Sequence, residues 1–317
     1  MNNIEPEKVA QDFWGISPEN VIELSGGQST RNWKVTQDGE DFVLRNAGLY
    51  PGYVDMQIGV LQHLKESDFP YEVPQPLDGA NGDRRITTEL GNYMLYPFIH
   101  GETGLSDPDY SELGILLGAY HSAMRGYDFS GFTQRRSKDL LDTQKLSEGL
   151  VSIEKSAANQ DIALPLIERA IACGPLLRNH VEKISTRIHA IGEEQIVCHG
   201  DPHLNNVVFS GGHVSGLIDF GGITVDPPIT DVAASIARLV IVDQQLEVGR
   251  FEKIIAGYKE TAGNPEIHES VLDLAFLNTL RSFIWQISEL AHNPETRITT
   301  DEAEQFLDIL IALTDIT

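Results

Sequence analysis

The chain has 317 residues, of which 41% are hydrophobic and 22% are charged, a composition typical of a globular protein with one or two domains. Its formal net charge of −24 argues against nucleic acid or an anionic membrane as a partner, because both would repel it. The sequence has neither a membrane-length apolar run nor a signal-peptide pattern, and its two cysteines imply no disulfide framework, so we expect a cytoplasmic protein.

The first hundred residues predict a small β-rich lobe. A short strand in "NVIELSGG" is followed by two alternating apolar runs around Asp38-Gly39, which is a strong hairpin signal. Apolar residues at helical spacing then predict a helix over "YVDMQIGVLQHLKES". Strands in "RRITTEL" and "NYMLYPFI" follow, so we expect five antiparallel strands in this lobe.

After residue 100 the pattern becomes helical. Asp107 and Pro108 predict the start of a helix that runs to about Tyr127. Residues 128–158 are polar and weakly patterned, and helical periodicity returns over residues 164–190.

A β segment interrupts the second half of the chain. The stretch "QIVCHGDPHLNNVVFSGGHVSGLIDFGG" predicts a strand, a loop, and two strands joined by a Gly-Gly turn. Everything from Ile229 onwards predicts helices. We therefore predict an α+β fold with two lobes, a β-rich lobe at 1–99 and a mostly helical lobe at 100–317.

The motifs "HGDPHLNN" and "IDFG" carry the strongest functional signal. Phosphoryl transfer to an alcohol needs a carboxylate to orient and deprotonate the hydroxyl, and oxygen ligands to hold Mg²⁺ on the phosphates. Kinase catalytic loops supply an Asp, an Asn five positions later, and a second Asp that opens D-F-G. Asp201, Asn206 and Asp219 have this order and spacing.

Each motif alone has another interpretation. His199, Asp201 and His203 have the spacing of an H-x-D-x-H metal site, which leaves Asn206 and "IDFGG" without a role. Taken alone, "IDFGG" also fits a buried strand that ends in a turn, with Asp219 capping backbone amides. The combined spacing favours the kinase interpretation.

Together with "DPPITDVA", these motifs resemble the signature of the aminoglycoside phosphotransferase and choline kinase family, whose relatives act on homoserine and hexosamines. The resemblance implies a protein-kinase-like two-lobed fold that uses ATP and Mg²⁺. It makes Asp201 the catalytic base, and Asn206 and Asp219 the magnesium ligands. It also implies that His199 shapes the loop and that Asp231 ties the loop to the helix that follows.

The resemblance extends more weakly to the small lobe. Ser25, Gly26 and Gly27 lie where such kinases cover the ATP phosphates, although a plain hairpin loop is an equal alternative. "MLYPFIHG" resembles the hinge that binds adenine, with the Pro97 carbonyl as acceptor and the Ile99 amide as donor. An edge strand that runs into a turn predicts the same sequence.

One family residue is replaced and another is absent. The lysine that contacts the phosphates in such kinases is Arg45 here, which keeps a permanent cation. The helix carboxylate that pairs with that lysine falls at Gln57, with Asp55 as the nearest carboxylate.

These features predict an ATP- and Mg²⁺-dependent kinase that phosphorylates a hydroxyl of a small molecule. No long activation segment ending in A-P-E follows Asp219, which argues against a protein substrate. The excess of 47 acidic over 23 basic residues favours an acceptor that carries an amine, such as an amino sugar, aminoglycoside, amino alcohol or homoserine. A non-catalytic nucleotide-binding regulatory protein is the alternative, suggested by Arg45 and Gln57.

Overall fold

The structure is a computed structural model, and it describes residues 5–24, 30–48, 51–131, 141–156, 164–188, 194–242, 244–263, 270–293 and 296–316. The chain divides into two compact units. The first contains Met1–Leu105 and Asn205–Gly221, and the second contains Ser106–Leu204 and Gly222–Thr317.

The first unit is built on a five-stranded antiparallel sheet in the order β1-β2-β3-β5-β4. Its strands are β1 (Asn20–Glu23), β2 (Arg31–Gln37), β3 (Glu40–Asn46), β4 (Ile86–Thr88) and β5 (Gly91–Pro97). Asp38 and Gly39 have positive φ angles of 52° and 81° and close the β2–β3 hairpin. The predicted five-stranded sheet and its hairpin are confirmed.

The described residues of this unit contain two helices, α1 (Pro6–Trp14) and α2 (Pro51–Glu66). The predicted helix at 53–67 corresponds to α2. We did not predict α1, although Pro6 in its first turn and Gly15 in the left-handed region after its end are helix-boundary signals. Ala10 of α1 packs into one apolar cluster with sheet residues that include Trp33 and Leu95.

The first unit also contains the hairpin of β7 (Val207–Ser210) and β8 (His213–Leu217), which the sequence had placed in the larger lobe. Backbone bridges pair Phe209 with Glu102 and Gly216 with Glu72, and these bonds attach the hairpin to the first 105 residues. A Cβ atom at Gly216 would lie 3.0 Å from the Glu72 carbonyl oxygen, so glycine permits this approach. The division into a nucleotide-binding lobe at 1–99 and a catalytic, acceptor-binding lobe at 100–317 stays a prediction.

The second unit is mostly helical. Its helices are α3 (Tyr110–Met124), α4 (Thr143–Ser156), α5 (Leu164–Arg187), α6 (Ile229–Val240), α7 (Val248–Thr261), α8 (Val271–His292) and α9 (Thr300–Ile316). Within its described ranges the strands form two short antiparallel pairs, β6 (Ile196–Cys198) with β9 (Thr224–Asp226) and β10 (Ile241–Val242) with β11 (Gln245–Leu246).

The boundaries differ from the sequence prediction in three places. Helix α3 begins at Tyr110, because the Asp109 side chain accepts a hydrogen bond from the Ser111 amide at 3.0 Å and caps it. Helix α4 lies in the segment that we predicted to be weakly patterned. The β10–β11 hairpin interrupts the segment that we predicted to be helical, where Gln244 has a positive φ of 62° that a right-handed helix does not accommodate.

Helices α3 and α7 cross in close backbone contact. A Cβ atom at Gly118 of α3 would lie 2.6 Å from the Tyr258 carbonyl oxygen of α7. Across the same crossing the Thr261 hydroxyl donates to the Ile115 carbonyl at 2.8 Å. Glycine therefore sets the spacing of this helix pair.

The predicted α+β fold class, with a small antiparallel sheet and a mostly helical remainder, is confirmed. Among the helices in the described ranges, none has both the length and the apolar character that a membrane crossing requires.

Candidate active site

The loop after β6 is held by a buried carboxylate. Asp231, in the first turn of α6, accepts hydrogen bonds from the amides of His199 at 2.7 Å and Gly200 at 2.8 Å. One carboxylate therefore binds two consecutive amides of the loop, as we predicted for Asp231. His199 is also buried, and its Nδ1 lies 3.4 Å from the amide nitrogen of Asp201 in a weak hydrogen bond, which confirms that His199 shapes the loop.

Asp231 is itself held by a second layer of buried groups. His121 Nε2 lies 3.1 Å from the Asp231 carboxylate, and His121 Nδ1 lies 2.8 Å from the Tyr258 hydroxyl. Burial alone would raise the pKa of Asp231, but the hydrogen bond and charge of His121, together with other contacts, lower it. The sequence predicted His121 only as a surface or core residue, because no local motif links α3, α6 and α7.

The same cluster is the one place in the described part of the chain where three potential metal ligands come within 4.8 Å of one another: His121, Cys198 and Asp231. Both carboxylate oxygens of Asp231 accept from backbone amides, and His121 Nε2 also lies 3.1 Å from Oδ2, so these groups already hydrogen-bond to one another and to the loop. The cluster is therefore a structural network. The alternative H-x-D-x-H site of His199, Asp201 and His203 does not form such a group among these residues.

Asp201 carries a carboxylate that is about half exposed, with 49% of its side-chain surface accessible. Arg238 of α6 contacts it through Nη1 at 3.1 Å, and His203 Nε2 lies 3.3 Å from its other oxygen. Burial would raise the pKa of Asp201, but His203, Arg238 and His199 outweigh burial and hold this pKa well below its usual range. Asp201 is thus ionised throughout the physiological pH range.

In the first unit, Asn206 and Asp219 are linked through the backbone. Asn206 is buried and ends a short 3₁₀ turn, and its carbonyl accepts a hydrogen bond from the Ile218 amide at 2.9 Å. Asp219 follows Ile218 directly, in the left-handed region at φ 58°, and its carboxylate accepts from the Gly221 amide at 3.2 Å. Both predicted metal ligands therefore lie at the base of the β7–β8 hairpin.

Arg45 of β3 forms an ion pair with Asp219, with Nη2 2.9 Å from Oδ1. The Arg45 side chain is buried, which would lower its pKa, but the charge and hydrogen bond of Asp219, together with Tyr96 and Tyr53, outweigh burial and the pKa is raised. A Cβ atom at Gly221 would lie 2.5 Å from Arg45 Nη2, so glycine makes room for the pair. The Tyr53 hydroxyl of α2 donates to the Gly221 carbonyl at 2.8 Å and steadies the same turn.

The contacts of α2 show that neither Asp55 nor Gln57 serves as the carboxylate partner of Arg45. Asp55 binds Arg85 on the surface, with the Nε–Oδ1 distance 2.6 Å, so it is not the partner of Arg45. Gln57 is buried and brings no charge. Asp219 provides the carboxylate for Arg45, a contact between residues 174 positions apart that sequence spacing did not reveal.

The remaining predicted nucleotide-binding residues stay predictions. Pro97 is the last residue of β5, opposite Phe42 of β3, and Ile99 follows two positions later. Ser25, Gly26 and Gly27 lie outside the described residues. Asp201 belongs to the second unit, and Arg45, Asn206 and Asp219 belong to the first.

Comparisons with known proteins give a family and a fold. Residues 20–264 match the sequence profile of the phosphotransferase enzyme family, while a search of curated proteins found no match. A spectinomycin phosphotransferase, solved with ADP and spectinomycin, has a TM-score of 0.74 at 14% identity, with 98% of each chain covered.

Two further solved structures are similar. An amicoumacin kinase, solved with AMP-PNP and Ca²⁺, has a TM-score of 0.70 at 15% identity and covers 98% of this chain and 92% of its own. A microcompartment-associated aminopropanol kinase has a TM-score of 0.64 at 14% identity, with 97% of this chain and 94% of its own covered. At these identities the likeness establishes a shared fold.

Proposed function

Because this chain belongs to the phosphotransferase enzyme family, we propose that it transfers the γ-phosphoryl group of ATP to a hydroxyl of a small molecule, with Asp201 as the catalytic base. The observation that carries this proposal is the charge and the exposure of the Asp201 carboxylate. Its carboxylate is ionised and half exposed, on a loop whose neighbouring amides are bound by buried Asp231. That is what orienting an acceptor hydroxyl requires.

The transfer exchanges one phosphorus–oxygen bond for another. The acceptor oxygen bonds to the γ-phosphorus while the bond from that phosphorus to the oxygen bridging it to the β-phosphorus breaks, which releases ADP. The hydroxyl proton passes to Asp201 and then to solvent. Because the transition state is loose, with little negative charge needed on the attacking oxygen, a weakly basic carboxylate is sufficient to orient the hydroxyl and take up its proton late.

Asn206 and Asp219 would hold Mg²⁺. Carboxylate and carboxamide oxygens are the ligands that Mg²⁺ prefers, and the Ile218–Asn206 hydrogen bond keeps the two residues near each other. When bound there, the ion would supply positive charge that neutralises the negative charge developing on the phosphates. Arg45 would exchange part of its contact with Asp219 for the phosphates, since a guanidinium suits both groups.

The nucleotide and the acceptor class are supported by the solved structures of similar fold. Two of them contain ADP or AMP-PNP, the second with Ca²⁺, which supports a nucleotide with a divalent cation here. A third acts on aminopropanol, a molecule with an amine and a hydroxyl. With the formal charge of −24, this supports a hydroxyl acceptor that carries an amine.

The contacts of Arg45 also favour a second candidate, a nucleotide-binding regulator without turnover. Arg45 is paired with Asp219, the residue that catalysis needs for metal, while the position on α2 at which the family resemblance places a carboxylate is the neutral Gln57. Release of ADP from Mg·ATP in the presence of hydroxyl amines distinguishes the two functions, because a regulator would release none with any acceptor. We propose the kinase because Asp201, Asn206 and Asp219 are all present.

Asp201→Asn tests the proposed function. It should lower kcat at least about 100-fold and leave ATP affinity unchanged, because general bases contribute about 10²–10⁴-fold and Asp201 contacts the acceptor. Asp219→Asn should instead weaken Mg²⁺-dependent nucleotide binding, measured by calorimetry. Asp128→Asn, which alters an exposed carboxylate of a loop, is the control and should change neither. Retention of more than about a tenth of the rate by Asp201→Asn would show that the base is misassigned.

A further inference from the structure

We propose that Arg238 is a positioning residue, which holds the Asp201 carboxylate in one orientation for phosphoryl transfer. This inference rests on the proposed function, in which Asp201 orients the acceptor. No sequence motif pointed to Arg238, because it lies 37 positions from Asp201 along the chain.

One face of α6 contacts the loop after β6 through three side chains. Asp231 binds the amides of His199 and Gly200, the buried Ser235 hydroxyl donates to the Pro202 carbonyl at 2.8 Å, and Arg238 Nη1 lies 3.1 Å from Asp201 Oδ1. The three side chains are at positions i, i+4 and i+7, which align on one side of a helix. The first two contacts fix the loop backbone, and Arg238 alone among them fixes the functional group.

Arg238 is held in place from its other side. Its guanidinium lies 5.2 Å from the centre of the Phe306 ring on α9, in a cation–π arrangement. An arginine stacked on a ring has lost much of its rotamer freedom before it contacts a carboxylate, so the carboxylate in turn has one preferred position. Arg238 thus couples α9 to the orientation of Asp201.

Three groups with positive or titratable charge face Asp201: His203 and His199 on the loop, and Arg238 on α6. A guanidinium stays protonated at all pH values at which proteins are folded, whereas an imidazole does not. Arg238 is therefore the group that keeps the field at Asp201 constant across pH. Loss of Arg238 should raise the pKa of Asp201 and make its orientation depend on His203.

The first experiment measures the charge state of Asp201 without turnover. The protein carries [¹³Cγ]aspartate, and the Asp201 resonance is assigned by its loss in Asp201→Asn. In Arg238→Gln the pKa of this carboxyl should rise, because the positive charge of a neighbouring arginine favours the ionised form. Arg250→Gln is the matched control, because Arg250 on α7 also lies over a ring, that of Tyr110 at 4.8 Å, and is not among the groups that act on Asp201.

The second experiment measures ADP release from Mg·ATP with 1-amino-2-propanol as the acceptor probe, and with water alone in parallel. Arg238→Gln should lower kcat about tenfold with an unchanged KM for ATP, since misplaced catalytic groups cost one to two powers of ten. Arg238→Lys should recover part of the rate, and Phe306→Leu should lose less than Arg238→Gln. Thermal unfolding by circular dichroism confirms that each variant is folded.

The positioning role of Arg238 and the proposed function of the protein can be refuted by different results. If Asp201→Asn is inactive but Arg238→Gln matches Arg250→Gln in both kcat and the pKa of Asp201, the positioning role is wrong and the catalytic base stands. A raised pKa with an unchanged kcat would also overturn the positioning role. If Asp201→Asn keeps its activity, the proposed function itself is wrong, whatever Arg238→Gln does.

Discussion

At the scale of single residues, Arg45 stands where the resembling family has a lysine, and it pairs with a carboxylate that does not belong to α2. A buried guanidinium needs a nearby carboxylate, because an unpaired charge away from water is costly. Asp55 is bound to Arg85 and Gln57 is neutral, and Asp219 supplies the carboxylate for Arg45. Asp219 therefore has two roles in our proposal, as the partner of Arg45 and as a ligand of the metal.

Arg45→Ala should raise the KM for ATP about tenfold or more and lower kcat, since a charge-assisted hydrogen bond contributes about 1.5–3 kcal/mol. Gln57→Ala should change neither constant appreciably, because Gln57 has no charge with which to hold Arg45. Arg85→Ala is the matched control, an arginine of the same unit that pairs with Asp55 on the surface. Steady-state kinetics against ATP test this, and equal, negligible effects of all three changes would remove Arg45 from the phosphate site.

The residues that could be predicted from the sequence are those that lie close together along it. Asp201 and Asn206 are predicted as site residues from their fixed spacing within one loop, and Asp231 is predicted to hold the loop from the motif that follows. Arg238 and His121 contact these residues from 37 and 110 positions away, and only the folded chain reveals such contacts.

At the scale of elements, the strength of the apolar pattern decided which helices were found. Helices α2 and α5 were predicted because their periodicity is sustained over 16 and 24 residues. Helix α4 has only three apolar side chains that become buried, Leu146, Leu150 and Ile153, and was missed. The short β10–β11 pair was also missed, since strands of two residues carry too little pattern.

The crossing of α3 and α7 gives a prediction at the same scale. Gly257→Ala should destabilise the protein by about 3 kcal/mol, the upper end for overpacking, because a Cβ atom there would lie 3.1 Å from the Ile115 amide nitrogen and closer still to the Ser111 carbonyl. Activity should fall as well, since the next residue, Tyr258, supports His121 and through it Asp231.

Gly249→Ala is the control for this change. Gly249 lies in the first turn of the same helix, and a Cβ atom there would have no atom within 4 Å apart from its chain neighbours and the backbone of its own helix, so alanine should be neutral or stabilise by up to about 1 kcal/mol. Chemical denaturation of both variants gives the two free energies. Equal stability of Gly257→Ala and Gly249→Ala would mean that the helices can separate at little cost. That result would contradict the claim that glycine sets the spacing of α3 and α7.

At the scale of the whole molecule, the predictions of the phosphotransferase family and of the fold class are confirmed. These rest on motifs that combine within about 35 residues of sequence and on a clear change from strands to helices. The acceptor is not identified in this way, because the sequence contains no motif that points to one particular acceptor. Net charge is the remaining guide to the acceptor.

The formal charge of −24 predicts how acceptor use depends on salt. The field near Asp201 is locally offset by Arg238 and His203, so attraction of a cationic acceptor must come from the overall excess of acidic residues in the chain, 47 against 23 basic ones. Such attraction acts over about one Debye length, roughly 10 Å at 0.1 M salt, and weakens as salt is added. The effect should therefore appear in kcat/KM for the acceptor.

The comparison of 1-amino-2-propanol with 1,2-propanediol isolates this charge, because the two molecules differ by one amine in place of one hydroxyl. At low ionic strength kcat/KM should favour the amine, and between about 0.02 and 0.3 M salt this preference should shrink several-fold while the value for the diol stays nearly constant. If the diol is preferred at low salt, or if both values respond to salt alike, the negative surface does not select the acceptor. In that case the specificity is set by contacts inside the acceptor pocket, and neutral or anionic alcohols should be screened next.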